Sequence, residues 1–217
     1  MAKSDVQSAP SLGPPLRLDA ETMTRQEWVY RQLRESLLTG QFVPGRSVTL
    51  RGIADMLGVS LTPVREALRR LVAERALVAH GNRRVSVPRM TRVKLADLCA
   101  TRAHLETFAA ERAMPAIDAA RLAHLWSLDA AVDQAIEDGD VTAYLQRHRA
   151  FHFAFYDSGP ASAVMPLIES LWLQFSPFLR LAIGHIGTDY IVDRHAEALR
   201  AVAGQDAQSL RFAIEAA

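Results

Sequence analysis

The chain carries one cysteine, Cys99, in 217 residues. A lone thiol excludes an internal disulfide framework and suits a reducing cytoplasm, with Cys99 read as a small core or semi-buried residue. Long apolar runs are also missing. Arg, Asp, Glu or His interrupts every candidate before the roughly 20 residues needed to cross a bilayer, so no membrane segment is expected. Residues 1–20 hold Pro10, Pro14 and Pro15 among Ser, Ala and Gly, without a hydrophobic signal core, and read as a flexible tail. Net charge is scarce too, at +1, but it is unevenly divided. Residues 21–92 carry thirteen Arg against six acids, whereas residues 93–217 carry ten Lys and Arg against sixteen acids. A basic first half and an acidic second half imply two domains with different partners, the first suited to a polyanion. No Lys-rich amphipathic helix is present to favour a membrane surface instead.

What is there begins with a helix over residues 21–39, with Trp28, Val29, Leu33 and Leu37 on one face and Gly40 ending it. An extended piece over 42–48 contains the turn signal Pro44-Gly45. A short helix over 50–57 turns Leu50, Ile53, Ala54 and Leu57 inward. After Gly58-Val59 a basic helix runs from about Thr62 to Arg75, capped by Ser60 or Thr62 and started by Pro63. Val64, Leu68 and Leu71 form its buried face, leaving Arg65, Arg69 and Arg70 on or near the other. Two short strands follow, 77–80 and 85–87, around a basic tip at 81–84. Helix, helix, tight turn, basic helix and basic hairpin make a winged helix-turn-helix, whose second helix enters the major groove with its N-terminal residues toward the bases. A solvated basic surface is the plainer reading of the arginines alone; the charge split, turn and hairpin together favour DNA.

Leu57-Gly58-Val59-Ser60 followed by Thr62-Pro63-Val64-Arg65-Glu66-Ala67-Leu68 resembles the recognition segment of GntR-type bacterial transcription regulators. The resemblance spans residues 24–88 and implies operator contacts from Arg51, Thr62 and Arg65, with Ser60 and Arg69 beside them. It also implies that the tip, with Gly81, Arg83 and Arg84, approaches the minor groove. Leu61 departs from the family's usual Arg: it cannot replace a bidentate guanine contact but can pack on a thymine methyl.

From Thr91 onward the sequence reads as an all-α antiparallel bundle, so the fold class is mainly α: a tail over 1–20, a winged helix-turn-helix over 21–89 and a helical effector and dimerisation domain over 90–217. Thr91 caps a helix through Ala113 with Leu95, Leu98, Leu105 and Phe108 as its apolar stripe. Asp118 and Asp140 cap the next two. A fourth, over about 161–183, contains Pro177, which should kink or divide it. Thr188 or Asp189 caps a fifth and Asp206 a sixth. His148 and His152, four residues apart, can direct two imidazoles at one metal, and His195 lies where a bundle can bring it close; ordinary semi-buried polar histidines are the competing reading. His104, His124 and His185 have no such pairing.

This half resembles the FCD-type effector domain of the FadR subgroup, over about residues 91–217. The resemblance implies a divalent metal, Zn or Ni with imidazole donors, held by His148, His152 and His195. Ala217 stands where the fourth ligand is expected. It also implies that Arg102 grips a small organic carboxylate, with Arg180 as a second candidate. The function implied is a cytoplasmic, ligand-responsive repressor, acting as a homodimer on an inverted-repeat operator in double-stranded DNA. The alternatives are a metal-dependent hydrolase with a DNA-binding appendage, disfavoured because no acid adjoins the three histidines in sequence, and an architectural DNA binder without effector.

Overall fold

A computed structural model describes residues 23–81, 83–157, 163–186 and 194–216. The expected tail over 1–20, Thr188, Asp189 and Ala217 therefore lie outside the described residues. The chain splits into two compact units, the first of residues up to Arg89 with the short piece Ser176–Phe178, the second of Met90–Phe175 and the residues from Leu179 onward.

The first unit opens with α1 (Arg25–Leu38), whose N-cap Thr24 accepts from the Glu27 amide. Strand β1 (Ser47–Thr49) leads into α2 (Leu50–Leu57). Gly58 ends α2 in the left-handed region at φ +63°, where a side chain would be strained. α3 (Leu61–Ala73) follows, then β2 (Val78–His80) and β3 (Arg84–Ser86). Leu33 and Leu37 of α1 pack with Val64, Leu68 and Leu71 of α3 in a core from which water is excluded. The hairpin is larger than the sequence suggests. β1 joins it as a third strand, giving an antiparallel sheet in the order β1-β3-β2 with Val48 opposite Val85. That pairing spans a gap with no turn signal of its own, so local pattern shows only an extended piece.

One expectation about α3 changes. Ser60 occupies the N-cap but makes no side-chain cap bond, and Thr62 lies inside the helix. Arg70 lies on the outward face, as expected, but its charge is already engaged. Its guanidinium lies 3.5 Å from the centre of the Tyr30 ring, and it reaches Glu27 and Glu74 at 3.2 Å each. Arg70 thus fastens α3 to α1. Tyr30 completes the clamp by donating to Glu74 at 2.8 Å. Burial, and next the Glu74 carboxylate, raise its phenol to about 12. An unfolded tyrosine ionises near 10. Between those values only the unfolded chain releases the proton, so stability from this clamp is present below pH 10 and is lost as pH rises toward 12. Alkaline denaturation followed by circular dichroism should show this loss in the parent and a shallower one in Tyr30→Phe.

The second unit is helical: α4 (Arg92–Ala113), α5 (Ala119–Glu137), α6 (Val141–Tyr156), α7 (Met165–Ile186), α8 (His195–Ala203) and α9 (Ala207–Glu215), with a 3-10 turn (Met114–Ala116) after α4. Thr91, Asp118, Asp140 and Asp206 cap α4, α5, α6 and α9, each accepting a first-turn amide. α5 packs on α6 and α8, α4 on α6 and α9, and α8 on α9.

Three details depart from expectation. On α4, Leu98 is buried but Leu95 and Phe108 are exposed and Leu105 is half-buried. The inward face instead carries Glu106, Thr107, Ala109, Ala110 and Ala113, whose small residues admit close helix packing. Of the kink or division expected at Pro177, the division does not occur: α7 runs through it. The missing N–H removes one helical bond, but Trp172, Leu173 and Ile183 are buried on both sides of it and hold the helix in place. α8 begins at His195 with Arg194 as N-cap, well after the expected caps.

Candidate functional site

In the first unit the start of α3 presents Leu61, Thr62, Arg65 and Arg69 outward, while Val64, Ala67, Leu68 and Leu71 face the core. Leu61 is 37 % exposed, an apolar side chain on a polar face. Arg65 and, in the first turn of α2, Arg51 are exposed and make no hydrogen bond or ion pair among the described residues. Arg69 keeps an exposed contact with Glu66 at 3.3 Å, a pair of little strength. On the hairpin, Gly81, Arg83 and Arg84 are all exposed. Arg83 takes the left-handed conformation at φ +57°, and its carbonyl accepts from the Leu50 amide at 3.0 Å. That bond ties the hairpin to the start of α2. Arg84 reaches the Ser47 hydroxyl at 3.4 Å.

In the second unit three imidazoles converge. His148 and His152 lie one turn apart on α6, and His195 is the first residue of α8. Nε2 of His152 lies 3.1 Å from Nε2 of His148 and 3.2 Å from Nε2 of His195. One ligand atom from each falls within 4.8 Å of the others. Packing of α5 against both α6 and α8 brings a fourth residue in. Asp129 of α5, buried, accepts from Nδ1 of His195 at 3.0 Å.

The remaining contacts fix the second tautomer. Tyr156 donates to Oε2 of Glu106 at 2.9 Å. Its proton is thereby committed, so Nδ1 of His152, 2.8 Å from the hydroxyl oxygen, must be the donor to it. His152 and His195 thus both carry their protons on Nδ1. Their two Nε2 lone pairs face each other at 3.2 Å. Two lone pairs do not hydrogen-bond; they suit an electron-pair acceptor. Desolvation, and then the neighbouring imidazoles and the Arg102 charge, hold His148 and His152 well below the usual histidine range. Neutral imidazoles with bare Nε2 atoms fit a borderline divalent ion. His152 and His195 each have, on Nδ1, the kind of outer partner that orients imidazoles in metal sites.

Arg102 sits beside this cluster, not free. It pairs with Glu106 through Nε at 2.8 Å and Nη2 at 3.4 Å, and its guanidinium lies over Trp172 and Phe175 at 4.6 and 4.3 Å. The pair is buried, with 14 and 6 % of the two side chains exposed. Trp172 donates to the same carboxylate at 2.9 Å. Arg180 donates to Thr142 at the start of α6 at 3.0 Å. His104 caps the Ala100 carbonyl and His124 is exposed, apart from the cluster; the His185 side chain lies outside the described residues.

Sequence reading missed Asp129, Tyr156 and Trp172. Tyr156 had a signal, since it continues the four-residue series of His148 and His152. Asp129 and Trp172 had none, because only tertiary packing brings them in.

Residues 25–87 match the model of the gntR family of bacterial regulatory proteins, and residues 97–216 match the FCD domain. The transcriptional regulator McbR of Escherichia coli is 32 % identical over 151 residues, 70 % of this chain and 68 % of McbR. The transcriptional repressor GlaR of the same organism is 29 % identical over 152 residues, covering 66 % of this chain and 67 % of GlaR. The solved structure of E. coli McbR superimposes with a TM-score of 0.83 at 28 % identity, over 89 % of this chain and 94 % of that one. These named relatives are regulators of transcription, not enzymes. No helix among the described residues is long and apolar enough to cross a membrane. The winged reader and the helical bundle together place the chain in the gntR family, as a DNA-binding transcription regulator with an FCD effector domain.

Proposed function

We propose that this regulator is a cytoplasmic, metal-assisted sensor of a small organic carboxylate that represses transcription as a homodimer on an inverted-repeat operator. The observation that carries the reading is the convergence of three Nε2 atoms, two of them bared by the outer contacts to Asp129 and Tyr156. His148, His152 and His195 hold the ion. A divalent ion there supplies a positive anchor for a carboxylate oxygen. Arg102 gives Nε–H and one Nη2–H to Glu106, which leaves the two Nη1 protons and the second on Nη2 to donate to the effector. Arg180, whose Nη1 donates to Thr142, is the second candidate for the effector carboxylate. Repression is favoured by the description of GlaR as a repressor.

In the reader, Thr62 and Arg65 contact bases and Leu61 packs on a thymine methyl. Ser60, Arg51 and Arg69 contact phosphates beside them, and Gly81, Arg83 and Arg84 approach the minor groove. Effector and operator affect each other's affinity by the same factor. The test is elemental analysis of protein purified without chelator or nickel resin, followed by fluorescence anisotropy with labelled operator. About one divalent ion per chain is expected, and a panel of small carboxylates should contain a member that weakens operator binding. Absence of any ion, with no carboxylate effect on binding, sinks the reading.

A further inference from the structure

Glu106 accepts four hydrogen bonds among the described residues, none of them from the three histidines. Oε1 accepts from Arg102 at 2.8 Å and from Trp172 at 2.9 Å. Oε2 accepts from Arg102 at 3.4 Å and from Tyr156 at 2.9 Å. The residue is buried, at 4 % exposure, on the inward face of α4. A carboxylate accepts only, so every partner must spend a proton on it. For Tyr156 that choice has a consequence one bond further along: its oxygen is left to accept from His152. The direction of each hydrogen bond in the chain Glu106–Tyr156–His152 therefore follows from the charge of Glu106.

We propose that Glu106, acting through Tyr156, is a positioning residue that sets which nitrogen of His152 carries the proton, and so whether its Nε2 can take a metal ion. The inference rests on the reading of the three histidines as an ion site. The same carboxylate holds Arg102 by two nitrogens, so one side chain orients both the metal ligand and the cation beside it. His195 has an independent partner in Asp129, 3.0 Å from its Nδ1. Its tautomer does not depend on Glu106.

A neutral amide at position 106 reverses the polarity. In Glu106→Gln the amide oxygen faces Arg102 and Trp172, both obligate donors there. The amide nitrogen then faces Tyr156 and donates to it. The Tyr156 hydroxyl turns to donate to Nδ1 of His152, which moves the imidazole proton to Nε2. A Nε2–H cannot bind an ion. Tyr156→Phe acts at the next link: it deletes the acceptor and leaves the tautomer unset. A role limited to packing predicts neither change.

The experiment uses the metal-free full chain and Zn2+ as the probe. Long-range proton–nitrogen NMR of the imidazoles reads the tautomers, and competitive titration against a chromogenic chelator reads the affinity. The parent should show His152 protonated on Nδ1, Glu106→Gln should show it protonated on Nε2, and both variants should bind Zn2+ about 10- to 100-fold more weakly. His195 should keep its Nδ1 proton throughout. If Glu106→Gln fails to fold, Tyr156→Phe, which removes one oxygen, still decides: the parent tautomer with parent affinity overturns the proposal. A parent that binds no Zn2+ overturns the ion reading, and the shift of the His152 proton from Nδ1 to Nε2 in Glu106→Gln, or its absence, then decides whether Glu106 sets the proton.

Discussion

Arg65→Ala should lower operator affinity by roughly 30-fold or more while leaving the fold intact. A bidentate arginine–guanine contact discriminates by about 1–3 kcal/mol. On the proposed reading, a homodimer with Arg65 in both half-sites, the loss is about 2–6 kcal/mol, and each 1.4 kcal/mol is a factor of ten. The fold should not suffer, because Arg65 is exposed and unpaired among the described residues. Arg70→Ala is the contrasting control. It removes the same charge five residues further along α3, together with the stack on Tyr30 and the pairs with Glu27 and Glu74. Its loss should appear as a lower melting temperature. Operator titrations by anisotropy at one fixed salt concentration, beside thermal melts, separate the two. Unchanged affinity in a fully helical Arg65→Ala protein removes Arg65 from the interface.

That contrast shows where sequence reading reaches its limit. Periodicity identifies the buried face of α3 from Val64, Leu68 and Leu71, because burial repeats along one helix. It cannot sort Arg65 from Arg70, because the difference is the presence of Tyr30 and Glu27 on another helix. The same division runs through the bundle. Asp118, Asp140 and Asp206 are legible as caps, since a cap is a bond to an amide two or three residues away. His148 and His152 are legible as a pair for a similar reason. The α4 stripe is misread because leucines suggest a core and alanines do not, whereas here Ala109, Ala110 and Ala113 face inward and Phe108 faces out. A buried Glu106 runs against every hydrophobicity pattern. It is stable there only because Arg102, Tyr156 and Trp172, brought from three helices, supply its donors.

Replacing both His152 and His195 by alanine should remove bound metal entirely, from about one ion per chain to background. Three imidazoles bind a divalent ion through geometry that none of them supplies alone. Losing two leaves His148, whose Nδ1 is buried without a partner, as a single donor. The variant has a second effect that must be separated from the first. Asp129 is buried and bonded to His195, and truncating that partner strands a carboxylate away from water. Leaving a buried hydrogen-bonding group without its partner costs about 1–3 kcal/mol, and more when that group is charged, enough to unfold a marginal domain and lose metal for an uninformative reason. A triple variant that adds Asp129→Asn removes the stranded charge, and His152→Ala alone leaves the Asp129–His195 contact whole. The ion site predicts background metal in the triple variant and strongly reduced metal in His152→Ala, both with parent helicity by circular dichroism. Metal retained at the parent level by a folded His152→Ala protein places the ion elsewhere. The histidines would then be held by hydrogen bonds alone, and the facing lone pairs of His152 and His195 would require a shared proton in place of a metal.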